Sequence, residues 1–229
     1  MSVVYRPPAY ALITRPLLKV VFGGIFRLLG HVNVNGFENI PRGRAYIVAI
    51  NHVSIIDPPF TLCFWPEMLE VIGAIDVFDK PFQGQLLRLY GVIPVHRGDY
   101  DRALIEKVLS LLKDDRPMLI APEGRRSHVT AMQRARPGVG FILEKAGVPV
   151  VPVGLIGTMG DFARRGLRGE RPLIEMRVGK PINLPPVPEN AVERREARQK
   201  IADLVMSHIA GLLPEEYRGV YADSAIPPA

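Results

Sequence analysis

Apolar and polar positions along this chain fall into two kinds of block. Short, nearly continuous apolar runs recur: AYIVAI at 45–50, VIGAI at 71–75, GVIPV at 91–95, PMLIA at 117–121, VPVVPVGL at 148–155 and PLIEMRVGK at 172–180. Runs of that length without a polar alternate suit strands buried on both faces. Longer periodic stretches separate them. After HRGD, Leu104, Val108, Leu111 and Leu112 recur at helical spacing, with Asp99 or Asp101 available as N-cap. PGVGFILEKAG at 137–147 opens on Pro137 and stops at Gly147, the proline-in, glycine-out signature of a helix. A further helix is expected from about 189 to 213, its Arg and Glu residues forming a solvated face. Strands alternating with helices predict an α/β fold: a single domain with a mostly parallel or mixed central sheet flanked by helices.

The first thirty residues break this rhythm. Arg6, Arg15, Lys19 and Arg27 punctuate apolar segments, and no acidic residue precedes Glu38. The longest uncharged run lies between Lys19 and Arg27, well short of the roughly 20 residues a bilayer span needs. No small-residue cleavage site follows, which disfavours a signal peptide. An amphipathic helical segment over 1–31 is expected instead. It lies in the headgroup plane with its cations on anionic lipid, or it packs on the domain. NVNGFENIPRG at 33–43 is dense in turn residues and separates this membrane-associating segment from the main domain at 32–215. Residues 216–229 are expected to form a C-terminal tail, its last stretch, YADSAIPPA at 221–229, loosely held.

Composition narrows the partners. The 229 residues suit one α/β domain, and the single cysteine, Cys63, allows no internal disulfide. Twenty-nine Lys and Arg against 23 Asp and Glu give a net charge of +6, which suits nucleic acid, anionic lipid or phosphorylated small molecules. Aromatic residues make up only 7% and no helix-turn-helix, zinc-finger or RNP pattern is present, so nucleic acid is not an expected partner. The five histidines show no metal-ligand spacing, and GVGFIL has the wrong glycines for a dinucleotide, so no metal and no cofactor are expected.

Three polar clusters sit at expected strand ends: NHVSIID at 51–57, HRGD at 96–99 and PEGRRS at 122–127. Ligands of open α/β sheets bind outside those ends. In one continuous helix His52 and Asp57 would point apart, but a loop followed by a helix with Asp57 as N-cap and Pro58 at its first position folds them together. A carboxylate on one imidazole nitrogen fixes the tautomer and leaves the other to take a proton from a hydroxyl. The alternative is an ordinary helix cap beside a structural histidine. Ser54 lacks a nucleophile elbow and Cys63 a reactive context, which disfavours a covalent mechanism. Arg97, Arg125 and Arg126 offer guanidinium forks for a phosphate, while Glu123 suits a substrate hydroxyl or the orientation of an arginine. Together they imply a ligand with a phosphate and a free hydroxyl.

These residues resemble the glycerolipid acyltransferase family of the 1-acyl-sn-glycerol-3-phosphate acyltransferase type. NHVSIID resembles its N-H-x4-D block, GVIPVHR the block ending in arginine, PEGRRS the E-G-T-R-S block, and VPVVPVGL the proline-containing block. The resemblance implies transfer of a fatty acyl group from an acyl-CoA or acyl carrier protein thioester to the sn-2 hydroxyl of 1-acyl-sn-glycerol 3-phosphate, giving phosphatidic acid. It implies His52 as base and Asp57 as its partner, with Arg97 and Arg126 on the acceptor phosphate. Glu123, Gly124, Arg125 and Ser127 complete the substrate-binding loop. The expected setting is peripheral or monotopic, on the cytoplasmic face of a membrane. Two positions depart from the family pattern: Arg125 replaces a threonine, and Arg136 stands where relatives often carry lysine. The competing readings are an O-acyltransferase for glycerol 3-phosphate, another lysophospholipid or an amino lipid, and a non-catalytic module that binds anionic membranes.

Overall fold

The computed structural model describes residues 5–96 and 101–228. Its strands, in chain order, are β1 (His31–Asn35), β2 (Ile47–Ile50), β3 (Glu70–Ala74), β4 (Ile93–Val95), β5 (Met118–Ile120), β6 (Val150–Ile156) and β7 (Leu173–Val178). The helices are α1 (Ala11–Leu29), α2 (Asp57–Phe64), α3 (Ile75–Phe78), α4 (Gln83–Tyr90), α5 (Arg102–Lys113), α6 (Pro137–Ala146), α7 (Phe162–Leu167), α8 (Ala191–Gly211) and α9 (Glu215–Arg218). The strands form one sheet in the order β1-β7-β6-β2-β5-β3-β4. All neighbours are parallel except β6 and β7, so the sheet is mixed.

Helices cover both faces of the sheet, which explains why its central strands read as unbroken apolar runs. β2 is buried along its whole length. Ile47 and Ala49 point into a core with Leu104, Val108 and Leu111 of α5, Leu143 of α6, and Ile201, Val205 and Ile209 of α8. Tyr46, Val48 and Ile50 point the other way, into a core with Phe26 of α1, Phe60 of α2, Trp65 and Phe162. Asp101 caps α5 through the Leu104 amide at 3.0 Å; Asp99, the other candidate, lies outside the described residues.

Helix α1 docks by an ionic device that its pattern does not announce. Arg15 is buried and grips the fully buried Glu70 with two nitrogens, at 2.7 and 2.8 Å, while its Nε donates to the Tyr90 carbonyl at 2.8 Å. Arg116 pairs with the same carboxylate. Lys19 donates to the Trp65 carbonyl, and the Arg27 guanidinium lies over the Phe64 ring at 4.7 Å. Of the cations expected to face lipid, Arg15 and Lys19 thus turn inward, while Arg6 and Arg27 stay exposed. Ile13, Leu17, Val20 and Leu28 are left exposed on the outer face, Ile13 by 74%. Among the described residues no helix is long and apolar enough to cross a membrane.

Two expectations are corrected. Residues 33–35, read as part of a turn-rich separator, belong to edge strand β1, paired with β7. An edge strand with one wet face carries asparagines as readily as a turn does, so composition could not tell them apart. The stretch from 221 onward, expected to be loose, is tied down: Tyr221 is buried, and the Ile226 amide donates to the Ser207 carbonyl at 2.9 Å.

Candidate active site

Strand β2 ends at Ile50 and releases Asn51 and His52 between the ends of β5 and β6. Asn51 is fully buried and closes a ring with Leu155: its Nδ2 donates to the Leu155 carbonyl at 3.0 Å, and the Leu155 amide donates to its Oδ1 at 2.7 Å. This side chain continues the β2–β6 ladder one step past the last backbone pair, Ile50 with Val153. It fixes where the next residue emerges.

His52 is held at both backbone atoms by the loop after β5. Its amide donates to Glu123 Oε1 at 2.8 Å, and its carbonyl accepts from the Ser127 amide at 2.8 Å. On the side chain, Nδ1 lies 3.0 Å from Asp57 Oδ2. Asp57 is completely buried whereas the imidazole is 19% exposed. With a carboxylate on Nδ1, the tautomer that donates from Nδ1 is favoured and Nε2 carries the lone pair. Nε2 has no protein partner among the described residues.

Asp57 is not the N-cap expected from the sequence. It is the first residue of α2, after Ile56, and Pro58 follows inside the first turn. The turn Ser54–Asp57 is tight enough for the carboxylate to reach backward, and Oδ2 also accepts the Ser54 amide at 2.6 Å. Oδ1 is buried with no hydrogen-bond donor among the described residues. Such an oxygen is costly to bury. A positive charge on the adjacent ring would offset that cost.

The loop after β5 carries the remaining expected residues, in different roles. Both carboxylate oxygens of Glu123 are used on backbone: Oε1 on His52 and Oε2 on the Gln133 amide at 2.8 Å. Burial pushes its carboxyl up to about 7, against the opposing pull of those two amides. Ser127 is fully buried, its Oγ accepting the Val129 amide at 3.3 Å. Gly124 adopts φ +67°, and a Cβ there would lie 2.7 Å from Arg136 Cγ, so a side chain is excluded twice over. Arg125 is exposed, its Nε donating to Gln133 Oε1 at 3.0 Å. Arg126 is half-buried and has no partner among the described residues. Arg97 lies outside the described residues.

Sequence reasoning missed the brace behind this loop. The Met132 amide donates to the Tyr217 carbonyl, and the Ala135 amide donates to Tyr221 Oη, each at 2.9 Å. Both tyrosines come from the far end of the chain, and no spacing rule connects them to residue 52. Among the described residues, no serine or cysteine side chain is hydrogen-bonded to His52. Ser54 is buried, and burial pushes the Cys63 thiol up to about 11, so no thiolate is available at neutral pH.

Known proteins match this chain in both sequence and fold. The family model described as Acyltransferase matches residues 31–156, more than half of the chain. The chain is 29% identical over 177 residues to the chloroplastic 1-acyl-sn-glycerol-3-phosphate acyltransferase LPAT1 of Arabidopsis thaliana, covering 75% of this chain and 48% of that protein. It is 28% identical over 176 residues to the human 1-acyl-sn-glycerol-3-phosphate acyltransferase alpha, covering 75% and 60%. Against the crystal structure of PlsC, the 1-acyl-sn-glycerophosphate (LPA) acyltransferase of Thermotoga maritima, the TM-score is 0.58 at 24% identity, covering 83% of this chain and 78% of that one. The chain spans about half the length of the first curated relatives it matches.

Proposed function

This chain belongs to the acyltransferase family, and from that premise we propose that it moves a fatty acyl group from a thioester to the sn-2 hydroxyl of 1-acyl-sn-glycerol 3-phosphate, giving phosphatidic acid. The observation that carries the reading is the 3.0 Å contact between a fully buried carboxylate and an imidazole whose other nitrogen has no partner among the described residues. His52 Nε2 takes the proton of the acceptor hydroxyl as its oxygen attacks the thioester carbonyl. The C–S bond then breaks, and the imidazolium returns the proton to the leaving thiolate. No acyl-enzyme forms. Asp57 holds the ring and balances its charge, and Glu123 acts as a positioning residue through the His52 amide. Arg126, with Arg97, takes the acceptor phosphate.

The donor is acyl-CoA or acyl carrier protein. The working surface is an anionic membrane on its cytoplasmic face, met by the apolar outer side of α1. A thiol-release assay with long-chain acyl-CoA tests the reading against a panel of lysophosphatidate, glycerol 3-phosphate, other lysophospholipids and an amino lipid. Release with lysophosphatidate, lost in His52→Ala with the fold intact, is expected. Release with another acceptor alone would reassign the substrate. Vesicle binding without release from any acceptor would leave a membrane-binding module.

A further inference from the structure

The two departures from the family pattern, Arg125 and Arg136, meet in space. They line a cavity of about 370 Å³ together with Arg134, Gln133 and Gln199, at the point where Pro137 opens α6. Gly124 brings them together, because without a Cβ it lets the Arg136 stem pack against the loop that carries Arg125. Gln133 holds Arg125 by Nε, which leaves both terminal nitrogens of that guanidinium for a ligand. Arg134 is partly offset by Asp203 at 3.3 Å, and Asp203 also accepts from Gln199 and Tyr221. Arg136 has no side-chain partner among the described residues. The lining therefore carries about two uncompensated positive charges in a concave site.

Which phosphate it takes follows from reach. The acceptor phosphate is a few bonds from the hydroxyl that must meet His52, and neither His52, Asp57 nor Arg126 lines this cavity. A thioester donor carries its phosphate at the far end of a pantetheine arm, well away from the reacting carbonyl. We infer that the cavity bounded by Arg125, Arg134 and Arg136 binds the phosphate end of the donor's phosphopantetheine group. The inference rests on the acyl-transfer reading above.

Calorimetric binding of coenzyme A, 4′-phosphopantetheine and pantetheine to the full chain tests it apart from turnover. In the double variant Arg125→Thr, Arg136→Gln, coenzyme A affinity should fall about tenfold and the preference for phosphopantetheine over pantetheine should vanish. The kcat/KM ratio of acyl-CoA to acyl-pantetheine should collapse likewise. Comparing acyl-CoA with acyl carrier protein donors shows which source of the phosphopantetheine depends on these arginines more. Unchanged coenzyme A affinity in a folded variant would overturn the inference, as would a loss confined to lysophosphatidate binding. Arginine-dependent coenzyme A binding without turnover of any acceptor would refute the acyl-transfer reading and keep the cavity. Turnover indifferent to the donor phosphate would do the reverse.

Discussion

At the scale of single residues, one carboxylate orients and another positions, and the two make different predictions. Asp57→Asn keeps shape but loses the charge that favours the Nδ1–H tautomer. A kcat loss on the order of a thousandfold is expected, with acceptor affinity retained, measurable by steady-state kinetics. Glu123 makes a prediction about pH. Burial lifts its carboxyl from the ordinary 4.5 to about 7, so the folded chain keeps a proton that the unfolded chain releases earlier. Its contribution to stability is full below pH 4.5 and declines as pH rises toward 7. Urea unfolding of the wild type and Glu123→Gln at about pH 5 and about pH 8 should show this slope only in the wild type. In activity, Glu123→Gln cannot accept both backbone amides and should lower kcat more than it raises the acceptor KM. His52 and Asp57 were legible in the sequence because a strand end, a loop and a proline-started helix leave few ways to arrange them. The inward turn of Glu123 and Ser127 was not, because a motif records which residues are present and not which way a loop faces.

At the scale of elements, the docking of α1 depends on charges that its amphipathic pattern conceals. Glu70 heads β3 and pairs with both Arg15 and Arg116. Glu70→Ala would leave the Arg15 guanidinium buried without a counter-charge, and a destabilisation of about 3–5 kcal/mol is expected by chemical denaturation. Arg15→Met alone should cost less, because Arg116 still pairs with the buried Glu70 carboxylate. Packing of α6 on α8 makes a steric prediction. A Cβ at Gly140 would lie 2.0 Å from the Arg198 carbonyl oxygen, so Gly140→Ala should force the helices apart and lower Tm by several degrees. The central strands and α5, α6 and α8 were readable because each buries a face whose period the sequence must keep. Edge strand β1 and the short α3, α4, α7 and α9 were not: they bury little, so their composition is not constrained to differ from that of a loop.

At the scale of the whole molecule, the C-terminal segment closes a circuit that begins at residue 52. Tyr217 and Tyr221 hold residues 132–135, Gln133 holds Glu123, and Glu123 holds His52. Shortening the chain before Tyr217 should therefore depress turnover even though the removed residues lie outside the matched family region. This dependence is checked by comparing the kcat of the truncated and full chains. No local reading of the sequence finds such a circuit, because its members are separated by most of the domain.

The inward-turned cations of α1 also have an operational consequence. Attachment that relied on lysine and arginine against phospholipid headgroups would weaken as counterions accumulate. Here Arg15 is spent on Glu70 and Lys19 on a backbone carbonyl, Arg6 and Arg27 stay exposed, and the outward apolar surface is Ile13, Leu17, Val20 and Leu28. On the proposed membrane reading, concentrated sodium chloride should weaken the protein's sedimentation with lipid without abolishing it, and a mild detergent should release the remainder.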